Sequence, residues 1–219
     1  MSQYYGQLLN LLAAALLLLS FAMLGQRRIL SLINLFMAQG AVLCVSTGLV
    51  ALTTGQPHLY WSALITLVLK VLLLPWILHR LIRRLNVKWD VETLINIPTT
   101  MLIGIVLVIF SFNLALPISE LAGTVTRSLL GIAMACVLLA FLMMITRSKA
   151  VPQVIGFLSM ENGLFFAATS ATYGMPMVVE LGIALDVLVG TVILGVFFFQ
   201  IREKFDSLDI RHLEQLKED

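Results

Sequence analysis

Seven apolar stretches, at 5–25, 29–53, 59–81, 92–114, 124–146, 151–173 and 177–201, take up most of the chain. Each has room for the roughly 20 helical residues that cross about 30 Å of hydrocarbon. In lipid every backbone N–H and C=O must be satisfied internally, so only helices and closed barrels span a membrane. Unbroken apolar runs of this length exclude strands. The expected fold is therefore all-α, a polytopic membrane protein with seven transmembrane helices. Composition agrees: 60% of the residues are hydrophobic and 12% charged, with mean hydropathy +1.00. A soluble domain carries about 25% charged residues.

The loops predict the orientation. Arg27 and Arg28 lie between spans 1 and 2; Arg80, Arg83, Arg84 and Lys88 lie between spans 3 and 4. Arg147 and Lys149 separate spans 5 and 6, and Arg202, Lys204, Arg211 and Lys217 follow span 7. Twelve of the fourteen Lys and Arg thus gather on one side. The opposite turns, around Gln56, Leu116 and Gly174, hold none; Arg127, one turn into span 5, is the basic residue nearest to them. By the positive-inside rule the expected topology is N-out and C-in. The first run, Leu8 to Leu24, has its basic residues after it and none before it, which predicts a retained span and not a cleaved signal. Trp61 and Trp89 sit where interfacial aromatic anchors belong, and Asp90 suits the N-cap of span 4. Pro57, Pro152 and Pro176 fall at helix starts. Pro75 and Pro98 fall inside spans 3 and 4 and predict kinks.

Spans 1–3 and 5–7 share one plan: a helix, a tight basic loop, a helix, a short outer turn containing Pro, and a helix with a basic end. In register, Gln39 takes the place of Glu161, 122 residues later. The odd helix between the trios gives them the same orientation, so the reading is a parallel repeat of two three-helix units, as transporters use. The expected divisions are 1–85 for the first unit and 86–123 for a linking helix with its flanking loops. The second unit is 124–201 and the cytoplasmic tail 202–219.

Four side chains fall near mid-depth: Gln39 in span 2, Lys70 in span 3, Glu161 in span 6 and Asp186 in span 7. Glu161 lies 13 residues before Gly174 and Asp186 lies 12 after it. At about 1.5 Å per helical residue the two carboxyls share a depth. A charge there costs about 2.5–3.5 kcal/mol on insertion scales, so it marks a functional site by default. Burial raises a carboxyl's pKa and a neighbouring Lys lowers it again; a group held between those influences can titrate near neutral pH and pass a proton on. Glu161 and Asp186 are thus expected as proton-relay carboxyls and Lys70 as a tuning or transfer group. Gln39 does not titrate and offers hydrogen bonds. Glu180, one turn inside span 7, suits the helix dipole or an exit-side proton group. The bland alternative for Lys70, Glu161 and Asp186 is a buried ion pair that only locks helices together.

Other chemistries find no residues. Cys44 and Cys136 lie in separate apolar spans without Cys or His at ligand spacing, so neither a disulfide framework nor a metal site is expected. There is no His pair for haem and no P-loop. His58 and His79 sit at helix ends and His212 in the tail. The chain does not look like a catalyst by itself.

Two stretches carry a resemblance: Phe157-Leu158-Ser159-Met160-Glu161-Asn162 and Ala184-Leu185-Asp186-Val187-Leu188-Val189-Gly190. Over spans 5–7 they resemble the three-helix K-type subunit of respiratory complex I and the C subunit of Mrp antiporters. That subunit carries one mid-membrane Glu in each of its last two helices. Glu161 matches the first; the second falls on Asp186, a shorter acid. The tail, with Phe205-Asp206-Ser207-Leu208-Asp209, is similar too. The whole length resembles the hydrogenase-4 component E family, the K-like membrane subunits of formate hydrogenlyase-type nickel–iron hydrogenase complexes. Its most specific parts are Met160-Glu161-Asn162-Gly163 and Glu180-Leu181-Gly182-Ile183-Ala184-Leu185-Asp186.

The resemblance implies a bacterial inner-membrane subunit, non-catalytic alone, among antiporter-like and other membrane subunits. Nickel, iron and iron–sulfur clusters would belong to partner chains, leaving this one without a cofactor, a nucleic acid or a small-molecule substrate. Its expected role is a lateral proton path through Glu161, Asp186 and Lys70, with Gln39 and Glu180 in support. The alternative is a scaffold without ion conduction. A stand-alone retinal proton pump fits the topology, but that family carries its lysine in the last helix and not in the third.

Overall fold

The computed structural model describes residues 2–55, 57–85, 93–119 and 124–172, together with Leu188 and Gly195. Among these the secondary structure is helical, without strands. Helix α1 is Ser2–Leu24, α2 Ile29–Thr54, α3 Pro57–Thr66, α4 Leu74–Leu85, α5 Ile97–Ser119, α6 Thr124–Thr146 and α7 Ala150–Thr172. A π-helical segment, Leu67–Leu73, joins α3 to α4, so the three form one continuous rod. Among the described residues five helices are long and apolar enough to cross a membrane: Tyr4–Leu24, Ile29–Thr53, Leu59–Arg80, Ile97–Leu116 and Ser128–Thr146. Helix α7 is 23 residues long and occupies the stretch expected for span 6. The span expected at 177–201 lies outside the described residues apart from Leu188 and Gly195, both helical.

Local chemistry sets the ends. Helix α2 stops at Gly55, whose φ of 66° is left-handed and whose N–H donates to Ala51 O at 3.0 Å. Glycine takes that conformation without a Cβ clash and closes the helix. Two residues on, Pro57 opens α3, where its missing N–H is not needed.

Span 4 departs from expectation. Helix α5 starts at Ile97 and ends at Ser119, about one turn and a half later than the 92–114 read from hydropathy. Pro98 is therefore in the first turn, and the kink expected there is not required. Proline suits that turn and biases the residue before it away from helix. The residues ahead take another path: Leu94 N–H donates to Thr146 O at 2.8 Å, and Thr93 bridges Arg147. Asp90 and Trp89 lie outside the described residues.

The core forms where α1, α2, α4, α6 and α7 meet. Ile29, Leu32, Ile33, Phe36, Ile155 and Leu158 are all buried in its largest cluster. Helix α7 lies against α6. Gly163 makes this possible, since a Cβ there would meet Val137 Cγ2 at 3.0 Å and Val137 N at 3.2 Å. Small residues permit such backbone approach in membranes. The α3–α4 rod leans on α2, and α5 leans on α6. The outer face of α5 is apolar and exposed at Leu102, Val106 and Ile109, as suits a lipid-facing helix.

Candidate functional site

Lys70 sits in the middle of the π-helical segment, 3% exposed. Pro75 follows that segment closely. It has no N–H to donate, so the regular hydrogen-bond ladder loses a rung just below Lys70. The i→i−5 pattern takes over, as in Leu74 N–H to Leu69 O. Such π insertions widen the helix by a residue and re-aim its side chains. The kink expected from Pro75 thus appears as a change of helix type. Opposite it, Gly40 of α2 faces the Lys70 backbone: a Cβ there would lie 3.4 Å from Lys70 O and 3.5 Å from Lys70 Cβ. The lysine backbone rests directly on α2.

From that position Lys70 Nζ reaches Glu161 Oε1 on α7 at 2.8 Å. The side chains of this ion pair are 4% and 9% exposed. The ammonium also lies 5.0 Å from the centroid of Phe165, one turn beyond Glu161 on the same helix face. An ammonium over a ring face is attracted by its quadrupole, more so when desolvated. The other carboxylate oxygen, Glu161 Oε2, is buried and has no hydrogen-bond partner among the described residues. The contact permits one simple reaction. A proton moving from Nζ to Oε1 turns the charged pair into a neutral amine and a neutral carboxylic acid, which removes two charges from the interior.

A second polar chain runs beside the pair. Asn162 Nδ2 donates to Gln39 Oε1 at 3.2 Å, Gln39 Nε2 donates to Ser20 Oγ at 3.0 Å, and Ser20 Oγ donates to Leu16 O at 3.0 Å. All three side chains are buried, Gln39 completely. This chain ties α7 through α2 to α1. None of its members titrates, so it positions helices. Gln39 meets Asn162 and leaves Glu161 to Lys70. Sequence reasoning named Gln39 and missed Ser20, Asn162 and Phe165. Asn162 carried a signal, standing beside Glu161 in an apolar run.

Arg147, counted above among the loop charges, is not a solvated charge. It is 1% exposed and its Nη2 donates to Met23 O at 3.3 Å and Leu24 O at 2.6 Å. These are carbonyls at the C-terminal end of α1, where helices leave acceptors unpaired and cations are favoured. Burial pushes its guanidinium down to about 10. Gln153 Nε2 holds the Arg147 carbonyl at 2.9 Å.

Glu180 and Asp186 lie outside the described residues. Among those described, no group of three or more His, Cys, Asp and Glu gathers to hold a metal ion. Cys44 and Cys136 are free thiols.

No protein-family model matches the chain, and no solved structure does. Curated proteins do. The uncharacterized protein Rv0085 of Mycobacterium tuberculosis is 31% identical over 215 residues, covering 98% of each chain. Hydrogenase-4 component E of Escherichia coli (strain K12) and of Shigella flexneri are each 24% identical over 213 residues, covering 97% of this chain and 98% of theirs.

Proposed function

This chain belongs to the same family as the mycobacterial protein Rv0085 and is a distant full-length homologue of hydrogenase-4 component E, and on that footing we propose that it is a membrane subunit of a hydrogenase complex whose Lys70–Glu161 pair forms part of a lateral proton relay. The observation that carries the proposal is the buried 2.8 Å contact between two titratable groups of opposite charge, with Glu161 Oε2 left unpartnered among the described residues. Each charge is costly in the membrane alone, and each is tolerated because the other is there. A proton arriving at either group alters the balance at both. Asp186 of span 7 would take or give the next proton, and Glu180 would serve the outer end. Gln39 would hold α2 in register with α7. Orientation is N-out and C-in, in a bacterial inner membrane, with antiporter-like and other membrane subunits alongside. The two three-helix units would form a parallel repeat of which the second is K-like.

The test uses the intact complex in sealed membranes. Glu161→Gln and Asp186→Asn each abolish proton translocation, while hydrogenase turnover with an artificial electron carrier stays close to that of the parent. Pumping at the parent level in both variants would sink the relay. One observation favours a second reading. The Asn162–Gln39–Ser20 chain cannot carry a titration and binds three helices, which suits a scaffold. On that reading the same substitutions lose partner subunits from solubilised membranes and leave the pumping of assembled complexes intact.

A further inference from the structure

A groove of about 700 Å³ opens between α2 and the lower half of the α3–α4 rod. Its upper walls are apolar: Met37 on α2, with Val71, Leu72 and Pro75 facing it. Its lower end is formed by Trp76, His79 and Arg80. The groove begins beside Lys70 and ends nine residues later. At about 1.5 Å per residue this is roughly 14 Å, close to half of the ~30 Å hydrocarbon core. It therefore spans one leaflet, from the middle of the membrane to one interface.

The lower end has its own chemistry. The Arg80 guanidinium lies 5.1 Å from the centroid of the Trp76 ring, and Trp76 is 56% exposed. Tryptophan at this level belongs with lipid headgroups. His79 Nδ1 lies 2.9 Å from Pro75 O, which draws its ring against the rod. Among the described residues Arg80 has no acidic partner; the ion pair there is Lys70–Glu161. A guanidinium is the side chain best shaped to grip a phosphate, with two parallel N–H donors. The volume lies within the ~300–1,000 Å³ of pockets that take one small molecule.

We propose that this groove holds one anionic phospholipid of the leaflet on the Arg80 side. One acyl chain lies along Met37, Val71 and Leu72 and ends beneath Lys70. The phosphate sits on Arg80, and Trp76 lies at the level of the glycerol. Basic residues at the foot of a gap between transmembrane helices give such selectivity, whereas an apolar gap alone would accept any lipid. A transmembrane helix of another chain would bury the Arg80 charge without neutralising it, which favours the lipid.

The chain has three tryptophans. Replacing Trp61 and Trp89 by Phe leaves Trp76 as the sole indole. The full chain is reconstituted in dioleoylphosphatidylcholine vesicles and titrated with bromine-labelled phosphatidylglycerol or bromine-labelled phosphatidylcholine, each of which quenches an indole in contact with its chains. The expected result is half-quenching at an about fivefold lower fraction of phosphatidylglycerol, the scale of one basic group at an anionic surface. Arg80→Gln removes that preference and Arg80→Lys keeps most of it. Equal quenching by the two lipids in the parent overturns the proposal, as does a preference that survives Arg80→Gln. Absence of quenching by either lipid also overturns it, since no acyl chain would then lie against Trp76. Should Arg80→Gln fail to fold, the comparison of lipids in the parent and in Arg80→Lys decides.

Discussion

Lys70 and Glu161 are 91 residues apart in the chain and 2.8 Å apart in the fold. Removing one member of a buried pair strands the other charge, at about 3–5 kcal/mol, while replacing both with apolar or neutral groups is often close to neutral. Lys70→Met alone and Glu161→Gln alone are therefore expected to lower the thermal unfolding temperature in detergent, and the double variant to recover most of the loss. Additive losses in the double variant would mean that the pair does not hold together in solution. Gln39→Leu takes the acceptor from the Asn162 amide and the donor from Ser20 Oγ, which keeps its own bond to Leu16 O, and is expected to cost about 1–3 kcal/mol; the same unfolding measurement checks it. The sequence marked Lys70, Glu161 and Gln39 by their polarity in apolar runs. It did not tell which would meet which, because that depends on helix rotation. The π-helical turn sets the rotation, and hydropathy is blind to it. A hydroxyl such as Ser20 was invisible for another reason: serine satisfies itself on its own helix, here on Leu16 O, and needs no special site.

At the scale of elements, the approach of α2 to the π-helical segment rests on Gly40. A methyl group there fits in contact, at 3.4–3.5 Å from Lys70 atoms, and leaves no slack on that side for further carbons. Gly40→Ala is expected to fold with little change. Gly40→Leu is expected to push the segment off α2, separate Lys70 from Glu161 and lower the unfolding temperature as far as Lys70→Met does. An unfolding series over the two substitutions checks this, and equal stability of Ala and Leu at position 40 would contradict the packing. At the opposite corner Arg147→Ala removes the guanidinium donor from the Leu24 carbonyl, while Met23 O keeps the Gln26 N–H, and is expected to cost about 1–3 kcal/mol. Faster amide hydrogen exchange in the last turn of α1 would locate that loss. Elements were legible in the sequence wherever a long apolar run met a clear stop, as at Gly55 and Pro57. The limits of α5 were not. Leu94 and Ile95 continue the apolar run, and hydropathy cannot separate a single bridge from Thr93 to Arg147, followed by a bend, from the first turn of a helix.

For the whole molecule, composition alone announced helices made for lipid, and five spans meet that description among the described residues. Their arrangement was less legible. A core of α1, α2, α4, α6 and α7, with α5 leaning on α6, follows from interface residues such as Gly163 and not from hydropathy. The N-out and C-in topology we propose predicts that a reporter fused after Asp219 is active only on the cytoplasmic side and one inserted at Gln56 only on the outer side. The central claim is that Glu161 takes up and gives up a proton while a hydrogenase complex works. Infrared difference spectra of the intact complex, hydrogen-reduced minus oxidised, test it most directly. We predict a protonated-carboxyl band that shifts in deuterium oxide and disappears in Glu161→Gln. A difference spectrum unchanged by that substitution would contradict the account.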